Sequence, residues 1–263
     1  MVDAHKMMEL KVIAYARNGH TDKFGIPRQS RDESPILTRI VFEPEYNVAE
    51  ALRGIEGYSH LWLIWGANLT QSLSKREGEK LDWSPTVRPP RLGGNKRMGV
   101  FATRSPFRPN PIGLSSVRLV KVDDGELIVS GADVLDGTPI YDIKPYLSFS
   151  DSHPEAKNGF AEETKDRELE VDWSLIEGID SDAVGFSSYE PRGNNAVITR
   201  LSRANHALLD AKKTEIEYIL RQDPRPGYQD NPERVYKMDY AGWRVTFKVQ
   251  AGKVVVLKAE NCL

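Results

Sequence analysis

The chain has 263 residues, 36 Lys and Arg against 38 Asp and Glu for a formal net charge of −2, and a 40% hydrophobic share with 9% aromatics. That is enough for one large domain or two small ones with a real core, and it excludes a wholly disordered or collagen-like chain. A single cysteine, Cys262, excludes an intrachain disulfide framework and a cysteine metal cluster; with no basic-then-apolar leader in MVDAHKMMEL and no run near the roughly 18 apolar residues of a membrane span, the expectation is a cytoplasmic protein.

In chain order, Met8–Tyr15 and Ile36–Phe42 read as strands, separated by a polar loop from Arg17 to Ser34 that contains Phe24-Gly25-Ile26-Pro27-Arg28-Gln29. Glu45–Gly54 reads as a short helix ended by glycine, and the aromatic-rich run Tyr58–Asn68 as a buried strand. Met98–Thr103, Leu114–Val122 and Glu126–Val134 add three strands, the last two joined by the hairpin signal Asp123-Asp124-Gly125. Short strands without regular strand–helix alternation predict a mainly β protein whose N-terminal part is an antiparallel β-barrel, over residues 8–151. Residues 152–185 are polar and acidic and read as a linker or surface excursion. Residues 186–263 read as a small α+β domain, with a helix over Arg200–Arg221 followed by strands at Trp243–Val249 and Val254–Leu257.

Charge is unevenly spread. Between Ser84 and Lys121 lie Arg88, Arg91, Lys96, Arg97, Arg104, Arg108, Arg118 and Lys121 and no acid, and an acidic segment from Asp123 to Asp182 follows, so near-neutrality does not exclude a polyanionic partner. There is no G-x-G triplet, no phosphate-binding G-x-x-x-x-G-K-[ST], no H-E-x-x-H and no G-x-S-x-G, and the five histidines are scattered, so no metal site is expected. Three segments carry the chemistry: Thr86–Gly94, Ala102–Gly113 and Leu135–Leu147. The first two pack Arg, Pro and Gly at densities that no helix or strand interior tolerates, and the third continues the loop theme with Asp136, Asp142 and Lys144. Guanidinium forks on a stiff frame suit a phosphate, a carboxylate or a flat base.

In this order, TVRPPRLGG at 86–94, GVFATRSPFRPNPIGLS at 99–115 and DGTPIYDIKPY at 136–146 resemble the TsaA-like, or TrmO, family of S-adenosylmethionine-dependent tRNA adenine-N6 methyltransferases. Pro27-Arg28-Gln29 and Ser59-His60-Leu61-Trp62 resemble further family motifs, and QDPRPGY at 222–228 is similar to the hallmark of the family's C-terminal domain, with Gly227 where alanine is commoner. The resemblance implies a homodimeric barrel that binds the methyl donor without a Rossmann loop. It implies as acceptor the N6-threonylcarbamoyl adenosine beside the anticodon of threonine tRNA. By motif match it places Pro27, Arg28, Gln29, His60, Leu61, Arg104, Leu114, Leu135, Asp136, Gly137 and Thr138 at the donor.

Methyl transfer from a sulfonium needs alignment and the removal of one proton. Arg28 or Arg104 is suited to the donor carboxylate and Asp136 to its ammonium, and Asp142 and His60 are the candidate bases. Arg88, Arg91, Lys96, Arg97 and Arg108 are suited to RNA phosphates, and Phe107 and Tyr146 to stacking on unpaired bases, whereas Trp62 and Trp65 read as core. Arg221, Arg225 and Tyr228 either extend the RNA grip or brace the barrel. Two alternatives stay open: a methyltransferase of the same fold acting on another acceptor, and a non-catalytic module that binds donor or RNA.

Overall fold

The computed structural model describes residues 9–67, 83–89, 92, 96–164, 168–176, 210–225, 229 and 231–262. In the first half the strands are β1 (Ala14–Arg17), β2 (Leu37–Phe42), β3 (His60–Gly66), β4 (Thr86–Val87), β5 (Met98–Gly99), β6 (Ile112–Asp123), β7 (Glu126–Ser130) and β8 (Pro139–Pro145). Six of them close an antiparallel barrel in the order β1-β2-β7-β6-β3-β8, and β4 pairs with β5 apart from it. The period of two explains the interior: Ala14 and Ala16, Ile40, Leu61 and Leu63, Val117, Leu127 and Val129, and Ile140 form one buried cluster. The β6–β7 hairpin turns through Asp124 and Gly125, both at positive φ (49° and 76°), as its Asp-Gly pair requires.

Three readings are corrected. The strand expected over Met98–Thr103 ends at Gly99, and Val100–Ala102 is a 3-10 turn in which the Thr103 amide and hydroxyl both donate to the Val100 carbonyl. The loop expected over Leu135–Leu147 contains β8, whose prolines, Pro139 and Pro145, stand at its two ends and so leave the amides between them free to pair, with one register shift opposite Ile64 and Trp65. The helix expected over Glu45–Gly54 is a single turn, Ala49–Leu52, closed by Gly54 at φ 87°.

The second half is a sheet of order β10-β11-β12-β9, with β9 (Glu170–Asp172) parallel to β12 (Lys253–Asn261), and β10 (Tyr236–Tyr240) and β11 (Trp243–Gln250) antiparallel. The segment read as a linker thus supplies β9, and its Leu169, Val171, Trp173 and Ile176 pack on the second core. Residues 210–221 are helical and bury Ile216, Ile219 and Leu220 against Met238, Tyr240, Val245 and Phe247. Among the described residues no helix is long and apolar enough to cross a membrane.

The two halves share one element. Ile36, from the β1–β2 connection, belongs to the second core, and Phe24 packs against Tyr236 and Phe247 at ring distances of 6.2 and 6.3 Å. A Cβ on Gly19 would lie 2.8 Å from the Tyr240 ring, so only glycine allows that approach. His20, 1% exposed, lies 5.1 Å from the same ring.

Burial pushes the His20 pKa from 6.5 down to about 4. The folded state therefore prefers the neutral ring: stability is full above about pH 6.5 and falls as pH drops toward 4, because the unfolded chain takes up a proton that the folded chain refuses. The effect amounts to about 3 kcal/mol at most. Melting curves between pH 7 and 4.5 should show a shallower loss of stability for His20→Leu than for the parent, and parallel curves would refute the assignment.

Candidate functional site: a loop pinned across the barrel wall

The β1–β2 connection crosses the outer wall of the barrel, and each contact there can be traced to a residue type. Gly131 has φ 86°, and a Cβ there would sit 2.5 Å from the Arg31 carbonyl oxygen, so the loop runs directly over it. Ser30 Oγ donates to the Ser116 carbonyl. Asp32 Oδ1 pairs with Arg118 Nε at 3.2 Å and with His60 Nε2 at 3.2 Å, while His60 Nδ1 lies 2.9 Å from Ser59 Oγ. Arg104 donates to Gln29 Oε1 at 2.5 Å. Gln29, His60 and Arg104, far apart in sequence, are therefore attached to one loop. Leu114 stands 54% exposed on β6, whereas Leu61, wholly buried, points its side chain into the barrel.

The Leu135–Thr138 turn is clamped to the end of β1. The Asn18 amide donates to Asp136 Oδ1 at 3.1 Å, the Asp136 amide to the His20 carbonyl at 2.9 Å and the Gly137 amide to the Ala16 carbonyl at 2.8 Å. Asn18 Nδ2 adds bonds to Thr38 Oγ1 and the Val134 carbonyl. Between this turn and β6 lies a group that sequence reasoning missed. Trp65 Nε1 donates to Ser115 Oγ at 2.8 Å, and Ser115 in turn donates to Asp133. Burial pushes the Asp133 carboxyl above its ordinary range, opposed by the Ser115 bond and by the charge of Arg104. Its sequence signal is a lone acid in the otherwise apolar run Gly131–Leu135.

The two candidate bases do not converge. Asp142 lies opposite Ile64 on β3, four residues from His60, about 13 Å along the strand. It is paired with Lys144 at 2.7 Å and accepts the Ile143 amide. Beside His60, Tyr146 lies 6.1 Å from its ring and 5.5 Å from Trp62. Trp62 is not core as expected: Leu61 and Leu63 take the inward positions, and Trp62 lies half-buried on the outer face, donating to Asp151 at 2.8 Å. That bond, after the Leu147 amide, holds the Asp151 carboxyl below its ordinary range.

In the basic block, Arg88, Lys96 and Arg97 are exposed near the β4–β5 pair, and Arg97 donates to Thr86 Oγ1 at 2.8 Å. Arg108 instead donates to the Val100 and Thr103 carbonyls at 3.0 and 2.7 Å and lies 5.6 Å over the ring of Phe101. Phe101, 73% exposed and stacked 6.4 Å from Trp83, is an aromatic surface not singled out from sequence, beside the exposed Phe107. Arg91 and Tyr228 lie outside the described residues. Among the described residues no cluster of His, Cys, Asp or Glu could hold a metal ion.

The family model for the tRNA-methyltransferase O N-terminal domain matches residues 15–152, the span of the barrel, and that for the TrmO C-terminal domain matches residues 195–261. The chain belongs to the TrmO family. The tRNA (adenine(37)-N6)-methyltransferase of Escherichia coli K12 is 37% identical over 246 residues, covering 92% of each chain. That of Eikenella corrodens is 45% identical over 177 residues, 66% of this chain and 85% of its own. A crystal structure of TrmO from Pseudomonas aeruginosa superposes with a TM-score of 0.70 at 28% identity, covering 98% of this chain and 99% of that one. The TrmO barrel match contains the pinned loop, the Asp136 turn and Asp133, and β9 falls between the two TrmO matches.

Gly131→Ala should test the loop crossing. A Cβ at positive φ against the Arg31 carbonyl should cost about 1–3 kcal/mol by denaturant unfolding. A variant as stable as the parent would show that the loop does not depend on that approach.

Proposed function

We propose that this chain methylates N6 of threonylcarbamoyl adenosine beside the anticodon of threonine tRNA, acting as a cytoplasmic homodimer. The chain is a tRNA adenine-N6 methyltransferase that uses S-adenosylmethionine. What supports the site assignment is the bond from Arg104 to Gln29 and the reach of the Arg104 charge to Asp133, three residues before the Asp136 turn. These groups fit the donor's charges: an exposed guanidinium for its carboxylate and carboxylates for its two positive centres.

Bound S-adenosylmethionine supplies a methyl group on a sulfonium. The chain's residues then have two tasks. Gln29 and Arg104 hold the amino-acid end, with Pro27 and Leu114 forming the wall and Leu135, Asp136, Gly137 and Thr138 the floor; Leu61, turned into the barrel, and Arg28, turned to the C-terminal domain, do not face the donor. His60 takes the proton released as N6 gains its carbon, and Asp32, opposite Nε2, balances the charge on the ring. We favour His60 over Asp142 as the base because Asp32 ties His60 to the loop that carries Gln29, whereas Asp142 is paired with Lys144 about 13 Å along the strand. The acceptor base lies by Tyr146, with the RNA backbone toward Arg88, Lys96 and Arg97 and unpaired bases stacked on Phe107 and Phe101.

Labelled S-adenosylmethionine with tRNA carrying the unmethylated precursor should yield methylated threonylcarbamoyl adenosine on nucleoside mass spectrometry. Donor binding with no labelled nucleoside would refute this acceptor and favour a binding module. In that assay Arg104→Ala should weaken donor binding about tenfold or more, and His60→Gln should lower kcat by about 100-fold or more with donor affinity kept. For RNA, Lys96→Ala and Arg97→Ala should each reduce the slope of log affinity against log salt by about one, whereas Phe101→Ala should weaken binding by about 1–3 kcal/mol without changing the slope. Unchanged binding in all three would place the RNA elsewhere.

A further inference from the structure

We propose that the Asp223–Arg225 loop of the C-terminal domain is the positioning element of the donor site, acting through Arg28; the proposal rests on the donor-site reading above. Arg28 Nη2 donates to the Arg225 carbonyl at 2.7 Å and reaches the Asp223 carbonyl at 3.5 Å. A guanidinium engaged with main-chain carbonyls of another domain is held for position.

Those carbonyls are themselves fixed. Arg225 folds back to donate from Nε and Nη2 to the two carboxylate oxygens of Asp223 at 2.8 and 3.0 Å, a bidentate pair whose side chains are 6% and 11% exposed. Pro224 lies between them, and Asp223 takes the left-handed conformation, φ 50°. The Gln222 and Asp223 amides donate to the Ile219 and Leu220 carbonyls, so the loop is tied to the end of the helix over residues 210–221. A second clamp lies three residues along: Glu168 accepts Arg31 at 2.8 Å and Arg221 at 3.2 Å.

The donor loop thus has two faces. Arg28 and Arg31 turn to the C-terminal domain, while Gln29, Ser30 and Asp32 turn to Arg104, Ser116 and His60 on the barrel. Loosening the first face lets Gln29 drift from Arg104. The C-terminal domain therefore sets donor affinity without contributing a reacting group.

The test uses the full chain, with donor Kd by calorimetry and steady-state kinetics on tRNA. Asp223→Asn and Arg225→Lys, which break the bidentate pair, should raise the donor Kd and KM about tenfold with kcat at saturating donor within about twofold and the tRNA KM unchanged. Arg28→Lys, which keeps the buried pair but removes the Nη2 that meets both carbonyls, should do the same, and combining it with Asp223→Asn should add little. If the Asp223 variant does not fold, Arg28→Lys decides the question. Unchanged donor affinity in these variants, while Arg104→Ala weakens it, would overturn the proposal and leave the donor-site reading standing. Loss of tRNA rather than donor affinity would also overturn it, by making the loop part of the RNA grip. Donor affinity unmoved even by Arg104→Ala would overturn the site reading and this proposal with it.

Discussion

Two hydrophobic cores meet at the connection between β1 and β2, and the geometry of the site follows from that meeting. A connection of this length with little regular structure is ordinarily disordered or functional. Here its apolar side chains, Phe24 and Ile36, enter the C-terminal core, while its polar ones divide, Arg28 and Arg31 toward the C-terminal domain and Gln29, Ser30 and Asp32 toward the barrel wall. Burial supplies the anchoring and hydrogen bonds supply the register. A residue in the middle of the connection thus has both neighbouring surfaces defined, which is how a loop can hold a binding geometry that usually needs a strand or helix.

The barrel was legible in sequence because its strands alternate and its tightest hairpin is marked by Asp-Gly. What escaped reading has particular causes. β8 was hidden by prolines at its ends, and β9 by the acids that occupy its outward positions, Glu170 and Asp172, while Val171 and its neighbours carry the inward signal. Motif resemblance named Gln29 and Arg104, but their bond joins positions 75 residues apart, and no local pattern encodes that. Asp133 was missed because it falls within Glu126–Val134, read as one strand that in fact ends at Ser130, and a single carboxylate there carries no pattern of its own. Its significance depends on Ser115 and Trp65, which come from other strands.

The arginine-rich block presents fewer unengaged guanidinium donors to a partner than its composition suggests. Arg104 is engaged with Gln29, Arg108 with two carbonyls and Arg118 with Asp32. The exposed cations of the β4–β5 region, Arg88, Lys96 and Arg97, are a smaller and better localised set. A local set suits a folded RNA loop, where a few phosphates lie near the target base, better than a long groove of uniform charge would.

The coupling of arginine to proline in these loops has one physical origin. Each proline removes an amide donor from its stretch of backbone, so nearby carbonyls lose the partners that a ladder or turn would supply. A guanidinium has donors and no acceptor, and it can reach two such oxygens at once. Arg108 does this for Thr103 in the loop that contains Pro106, Pro109 and Pro111, adding a third bond to the Val100 carbonyl that Thr103 already engages, and Arg28 does it for Asp223 and Arg225 around Pro224. Proline stiffens the segment, arginine satisfies the carbonyls left over, and the result is rigid without secondary structure. A reaction that needs alignment more than covalent machinery can be served by loops of this kind, and that is how the proposed donor site can stand on the outside of a closed barrel.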